Sequence, residues 1–231
     1  MNKEIWNGYS DELPCPRCQK GKLKEYKTDI SSETLDSQIE NDFGSNGVVC
    51  PDASFLAAGH LKCSQCNDIV VMCYERVDDV RHTDEEGNEI CEIIPLFYSP
   101  APPLISIPNS CPPTVAGVIK QSFSLYWVDL ASCANKIRIA LEVLMDHFKI
   151  DQNLSLHQRI KAFEATHFKI SSYLLAAKWI GNSGSHRAEV TRNAVLDAYE
   201  LLEYILEQLF NDKERSLDEL SARINAAKKY E

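Results

Sequence analysis

The chain has 231 residues, 44% hydrophobic and 25% charged, a balance that supports a packed core and argues against wholesale disorder. At roughly 100–200 residues per domain, the length allows one large domain or two small ones. The net charge of -10 sits entirely before residue 111, where 19 acidic residues face 9 basic ones, and this argues against a general nucleic-acid binder with a basic surface.

No apolar run approaches the roughly 20 residues of a membrane span. The opening stretch MNKEIWNGYSDELPC lacks the apolar core of a secretory signal. A reducing, cytoplasmic compartment is therefore expected. In such a setting the nine cysteines are metal ligands or buried thiols rather than disulfides.

In chain order, the first 100 residues read as a β-rich module. Residues 28–48 are polar and acidic and read as a long loop inserted in it. Asp68–Val77 and Glu89–Tyr98 are rich in β-branched residues, with Asp84-Glu85-Glu86-Gly87-Asn88 as turn chemistry between them, so a hairpin is expected. Residues 101–113 carry Pro102, Pro103, Pro108, Pro112 and Pro113 and read as an extended linker.

From residue 114 the apolar spacing turns helical. Helices are expected at about 114–128, 132–148, 155–165, 170–180 and 189–210, with one more at 216–227. Ile137, Leu141, Leu144, Met145 and Phe148 form one inward stripe, and Val195, Ala198, Leu202, Ile205 and Leu209 form another. Gly181-Asn182-Ser183-Gly184-Ser185 reads as a glycine-rich interruption. Tyr126, Trp127 and Trp179 read as core aromatics. The fold class is thus α+β: a small β-rich ribbon, then an all-α antiparallel bundle over 114–231.

Two C-x-x-C units stand out, Cys15-Pro16-Arg17-Cys18 and Cys63-Ser64-Gln65-Cys66. Each can turn two thiolates toward one ion, and together they supply the closed Cys₄ set that structural Zn²⁺ favours. The 44 residues between them exceed the common spacing of about 15–20. A redox dithiol and unrelated buried thiols are the alternatives, and Cys50 or His60 is a possible substitute ligand. Cys73, Cys91 and Cys133 read as buried thiols within secondary structure. Phosphate-binding loops and nucleophile elbows are absent, so no small-molecule cofactor is expected.

In the helical half, Arg138-Ile139-Ala140-Leu141-Glu142, Leu154-Ser155-Leu156-His157-Gln158-Arg159-Ile160 and Lys178-Trp179-Ile180-Gly181-Asn182-Ser183-Gly184-Ser185-His186 occur in that order. Together they resemble a domain-of-unknown-function family of the HEPN superfamily, with its arginine-x-x-leucine-glutamate helix and glycine-asparagine-x-x-x-histidine turn. The resemblance covers roughly residues 105–212, and its members often carry an N-terminal pair of C-x-x-C units.

It implies a helical bundle that homodimerises. Many HEPN proteins are metal-independent endoribonucleases of toxin–antitoxin, CRISPR and phage-defence systems. They use an arginine, a polar neighbour and a histidine. By that resemblance Asn182 and His186 match the polar residue and the histidine, while Gly181 stands in place of the arginine. Lys178 is the nearest upstream cation. Arg138, Glu142 and Arg187 are expected to contact RNA or a protein partner.

Each of these residues also has a plain structural reading: Gly181 ends a helix, His186 caps the next, and Arg138–Glu142 is an i, i+4 pair. The expected function is a zinc-containing adaptor of a defence, restriction or toxin–antitoxin system that binds a protein partner or RNA. The alternative is a ribonuclease with a degenerate motif that uses His186.

Overall fold

A computed structural model describes residues 3–6, 8–34, 38, 52–83, 89–183, 190–210 and 212–227. It is a mixed α+β protein in two compact units, one of Asn2–Pro103 with Phe123–Val128, the other of Leu104–Ser122 with Asp129–Glu231.

The first unit is an antiparallel meander of four strands in sequence order. They are β1 (Leu23–Glu33), β2 (Asp52–Cys63), β3 (Ile69–Thr83) and β4 (Glu89–Ser99). The expected hairpin is β3–β4, whose turn residues 84–88 lie outside the described residues. The pair β1–β2 was not read from the sequence. Residues 28–33, assigned there to an acidic loop, continue β1, and residues 39–48 lie outside the described residues. The alternation explains the oversight. Beyond Leu23, β1 shows solvent most of its side chains, so it carries no apolar signature. β2 buries the small residues Ala57 and Gly59 along with Leu61.

Alternate residues of β3 (Val70, Met72 and Tyr74) are buried on one face of the sheet, with Leu61 from β2 and Tyr98 from β4. The core of this unit is aromatic. The Trp127 ring lies 4.6 Å from Tyr98, 5.1 Å from Tyr126 and 6.3 Å from Trp6. The Tyr126 hydroxyl donates to the Trp6 carbonyl at 3.0 Å. Tyr126 and Trp127 are buried, as expected of core aromatics.

Six helices follow: α1 (Pro113–Val128), α2 (Leu130–His147), α3 (Leu156–Glu164), α4 (Phe168–Ser183), α5 (Arg192–Leu209) and α6 (Asp212–Ala227). The last six residues of α1 group with the sheet. Asp129 caps α2 by accepting from Ala131 and Ser132, Ser155 and Gln158 form a capping box on α3, and Thr191 caps α5. In the second unit α2 packs against α3, α4 and α5, and α4 packs against α3 and α5. The two apolar stripes read from the sequence are buried there, apart from Phe148 and Leu209 at their C-terminal ends, which are half-buried.

Ser122, Cys133 and Tyr199 join three helices in a buried polar network. The Ser122 and Tyr199 hydroxyls are 2.6 Å apart, and the Cys133 thiol lies 3.2 Å from the latter. Trp179 is not a core residue as expected: it is 61% exposed. No helix among the described residues is long and apolar enough to cross a membrane.

Candidate functional site

Two places gather functional side chains. The first is at one end of the sheet unit. The register pairs Leu23 with Cys63, so the start of β1 lies beside the end of β2. The first C-x-x-C unit precedes β1 and the second closes β2. The antiparallel return brings them together, and much of the long stretch between the pairs is two strands of a hairpin.

The two knuckles are built alike. The amide of Gln19 donates to the Cys15 carbonyl at 2.9 Å, and that of Asn67 to the Cys63 carbonyl at 3.2 Å. Gln19 and Asn67, each directly after the second cysteine, take positive φ of 55° and 58° to turn the chain. Backbone amides aim at sulfur, among them Gly21 at Cys18, and Gln65 and Cys66 at Cys63, each at 3.4 Å.

The four sulfurs of Cys15, Cys18, Cys63 and Cys66 lie within 4.8 Å of one another. Cys15 and Cys66 are 3.7 Å apart, and Cys18 and Cys63 are 3.6 Å apart. A tetrahedron with bonds of about 2.3 Å has edges of about 3.8 Å, so the set fits a tetrahedral thiolate-bound ion. The surroundings shift the Cys18 and Cys63 thiols toward thiolate and those of Cys15 and Cys66 away from it. The amides of Gly21 and Lys20 bring the Cys18 thiol down to about 6. Burial pushes the Cys15 thiol up to about 12, the direction that opposes ionisation. Burial opposes ionisation of Cys63 too, yet the amides of Cys66 and Gln65 bring its thiol below the ordinary value.

Gly21 is the residue that sequence reading missed. A Cβ there would collide with the Cys63 sulfur and stand 3.0 Å from the Gln65 amide nitrogen. Any side chain at position 21 would wedge the knuckles apart. His60 lies in β2 and is not part of the cluster, while Cys50 lies outside the described residues.

The second place is where α2, α3 and α4 meet. Helix α4 continues through Gly181 and Asn182 to Ser183, so the expected glycine-rich break does not start at Gly181. A Cβ on Gly181 would approach the Arg138 Cβ to 2.8 Å and the Ala134 carbonyl oxygen to 3.1 Å. Glycine is there for close helix crossing, not to end a helix. Arg138 pairs with Glu142 at 2.8 Å.

One turn before Gly181, Lys178 is only 6% exposed. Its amine lies 3.4 Å from His157 Nδ1 on α3 and 4.1 Å from the centre of the Trp179 ring. Burial first, and the field of Arg138 second, hold the Lys178 ammonium below the usual lysine range. Arg138, Lys178 and His157 thus bring cationic or protonatable groups together from three helices, with Glu142 the carboxylate among them. Asn182 is half-buried, and His186 and Arg187 lie outside the described residues.

The sequence reading gives His157 no role of its own. Nothing in its spacing from Lys178, 21 residues away, signals the contact. Nearby, Arg159 is a buried clamp, 2.5 Å from the Asp146 carboxylate and 3.2 Å from the Ile150 carbonyl.

Residues 120–227 match the family described as domain of unknown function (DUF4145). No curated protein and no solved structure matches the chain.

Proposed function

We propose that the chain is a zinc-containing adaptor with an N-terminal zinc ribbon and a HEPN-like helical bundle. It acts as a homodimeric, cytoplasmic component of a prokaryotic defence, restriction or toxin–antitoxin system and binds a protein partner or RNA. Cys15, Cys18, Cys63 and Cys66 hold one Zn²⁺ whose role is to fix the fold of the sheet unit. Four protein ligands close the coordination sphere and leave no position for substrate.

The observation that carries the non-catalytic reading is the packing at Gly181. The position where the resembled family has its motif arginine faces Arg138 and Ala134 with no room for a Cβ. The nearest replacement, Lys178, lies buried against the His157 ring. An ammonium in that place attracts an anion but lacks the planar fork with which arginine grips a phosphate.

The convergence of Arg138, Lys178 and His157 beside Asn182 favours a second reading, a ribonuclease in which Asn182, Lys178 and His186 act on an RNA phosphate. One experiment separates the two. Purified full-length protein is incubated with structured and unstructured RNA beside a His186→Ala control. The adaptor reading expects one zinc per chain and no cleavage above the control. Cleavage by the wild-type chain that disappears in His186→Ala, with an unchanged thermal midpoint, overturns it in favour of the second reading.

A further inference from the structure

The charge of the sheet unit changes sign along the chain. Residues 15–27 contain five basic residues and one acidic residue, whereas residues 28–52 contain six acidic residues and no basic one. The overall negative charge therefore hides a cationic stretch that runs into the first half of β1. The register carries it across to β2. Lys24 stands directly opposite Lys62, and Lys27 directly opposite His60. Opposite residues of an antiparallel pair project from the same face, and like charges placed in this way destabilise a sheet. Lysine on an edge strand guards it against pairing with other chains, which accounts for Lys24 and Lys27 on β1. It does not account for Lys62 and His60, because β2 lies inside the sheet, between β1 and β3.

An aromatic ring joins them. The register shifts between Glu25 and Lys27, so Tyr26 is the extra residue of a bulge in β1. Its ring is 60% exposed, and the Lys62 ammonium lies 4.9 Å from the ring centre, so the two share one face. The nearby carboxylates do not neutralise that face. Glu25 pairs in register with the buried Leu61, on the opposite face, and accepts a hydrogen bond from the Thr28 hydroxyl at 3.1 Å. Asp11 reaches Lys24 only at 3.9 Å, with both side chains more than half exposed, and such a pair is worth little.

We propose that this corner of the sheet binds single-stranded nucleic acid, with phosphates against Lys24, Lys27 and Lys62 and an unpaired base on the Tyr26 ring. This rests on the RNA-binding arm of the reading above and assigns it to the sheet unit. The Lys24–Lys62 and Lys27–His60 rows are about 7 Å apart, two residues along β2, so one strand can meet both. An exposed aromatic ring beside cations suits a single strand, whose base faces are open, whereas a duplex hides them in its stack. An acidic peptide would use the lysines and leave the stacking face of the ring unused.

The test is fluorescence anisotropy of a labelled oligouridylate with zinc-loaded full-length protein, repeated over a range of salt concentrations. The wild-type chain is expected to bind with a log–log salt slope of about −2, the value for three lysines on a single strand. Lys24→Ala with Lys62→Ala is expected to weaken binding about tenfold or more and to bring the slope to about −0.7, at unchanged zinc content. Tyr26→Ala is expected to weaken binding about fivefold or more with the slope unchanged, because stacking releases no counterions.

No binding by the wild-type chain overturns the proposal and leaves the protein-partner arm of the adaptor reading standing. Binding that survives both variants but is lost in Lys178→Gln overturns the sheet location in favour of the helical half. Loss of zinc in the lysine variant overturns the phosphate role, the lysines then serving to balance the thiolates. Duplex RNA that binds as tightly as the single strand overturns the stacking role of Tyr26. Displacement by polyglutamate as effective as by unlabelled RNA, with binding unchanged in Tyr26→Ala, overturns nucleic acid in favour of an acidic protein partner.

Discussion

The two units become ordered by different means. In the sheet unit, the end that carries the cysteines is defined by backbone: paired turns, two residues at positive φ, a glycine without room for a Cβ, and amides aimed at sulfur. In the helical unit, order comes from side chains at three- and four-residue spacing that interlock, with polar groups kept to caps and a few buried contacts. On the proposed reading an ion completes the first arrangement, which then fails as a whole without it. The second is a sum of many small contacts and fails by degrees.

The strongest way to break this contrast is Cys63→Ser. It removes a buried ligand, and structural zinc sites contribute about 10–16 kcal/mol of apparent binding free energy, far more than a domain of this size has to spare. Zinc content is expected to fall to near zero. Near-ultraviolet dichroism from the Trp6–Tyr98–Trp127 cluster should collapse while far-ultraviolet helical signal persists. Loss of both signals together would show that the units do not fold separately.

Asp146→Ala tests the helical unit at its most concentrated polar point. It leaves the Arg159 guanidinium buried with one carbonyl partner, and breaking a buried pair costs about 3–5 kcal/mol. Because the Asp146 side chain is 38% exposed, water relieves part of this and the lower end is expected. The readout is urea unfolding followed by helical signal, with zinc stoichiometry unchanged.

A smaller loss is expected from Gly181→Ala. Overpacking at the α2–α4 crossing costs about 1–3 kcal/mol, which would appear as a lower thermal midpoint of the helical unit. An unchanged midpoint would mean that the helices part easily and that the close approach to Arg138 is incidental.

The smallest effect belongs to Asp129→Ala, where loss of the α2 cap costs about 1 kcal/mol. Hydrogen bonds from Ser132 to the Asp129 carboxylate, side chain first and amide second, hold its pKa below the ordinary 3.8. A carboxyl that is more acidic in the folded state stabilises fully above the unfolded value and loses its effect as pH falls through the folded one. The wild-type and Asp129→Ala stabilities should therefore differ at neutral pH and converge in acid.

How much was legible in the sequence follows the same division. Helices are announced by apolar residues three and four apart, so α2 and α5 were readable nearly to their ends from Ile137, Leu141, Leu144 and from Val195, Leu202, Ile205. The four clustered cysteines were readable because two short spacings are local signals. The hairpin that unites them was not, since β1 is solvent-facing beyond Leu23 and β2 fills its inner face with alanine and glycine. Contacts made across long sequence distance left no trace in any pattern. His157 meets Lys178, and Gly21 makes way for Cys63, only because the fold brings them together. Trp179 was misread for the opposite reason. It lies within a helix rich in apolar residues, and helical placement alone does not say which of them faces solvent.

The register of β1 with β2 also bears on how such a chain can change over evolutionary time. Both knuckles lie at the open end of a hairpin, so residues can be added or lost at the closed end without moving a sulfur atom. A matched addition of two residues to each strand would lengthen the pair by about 7 Å and keep every side chain on its face. The interval between the cysteine pairs is therefore free to drift while the centre stays constant, and relatives with the same four sulfurs need share neither the interval nor the sequence that fills it.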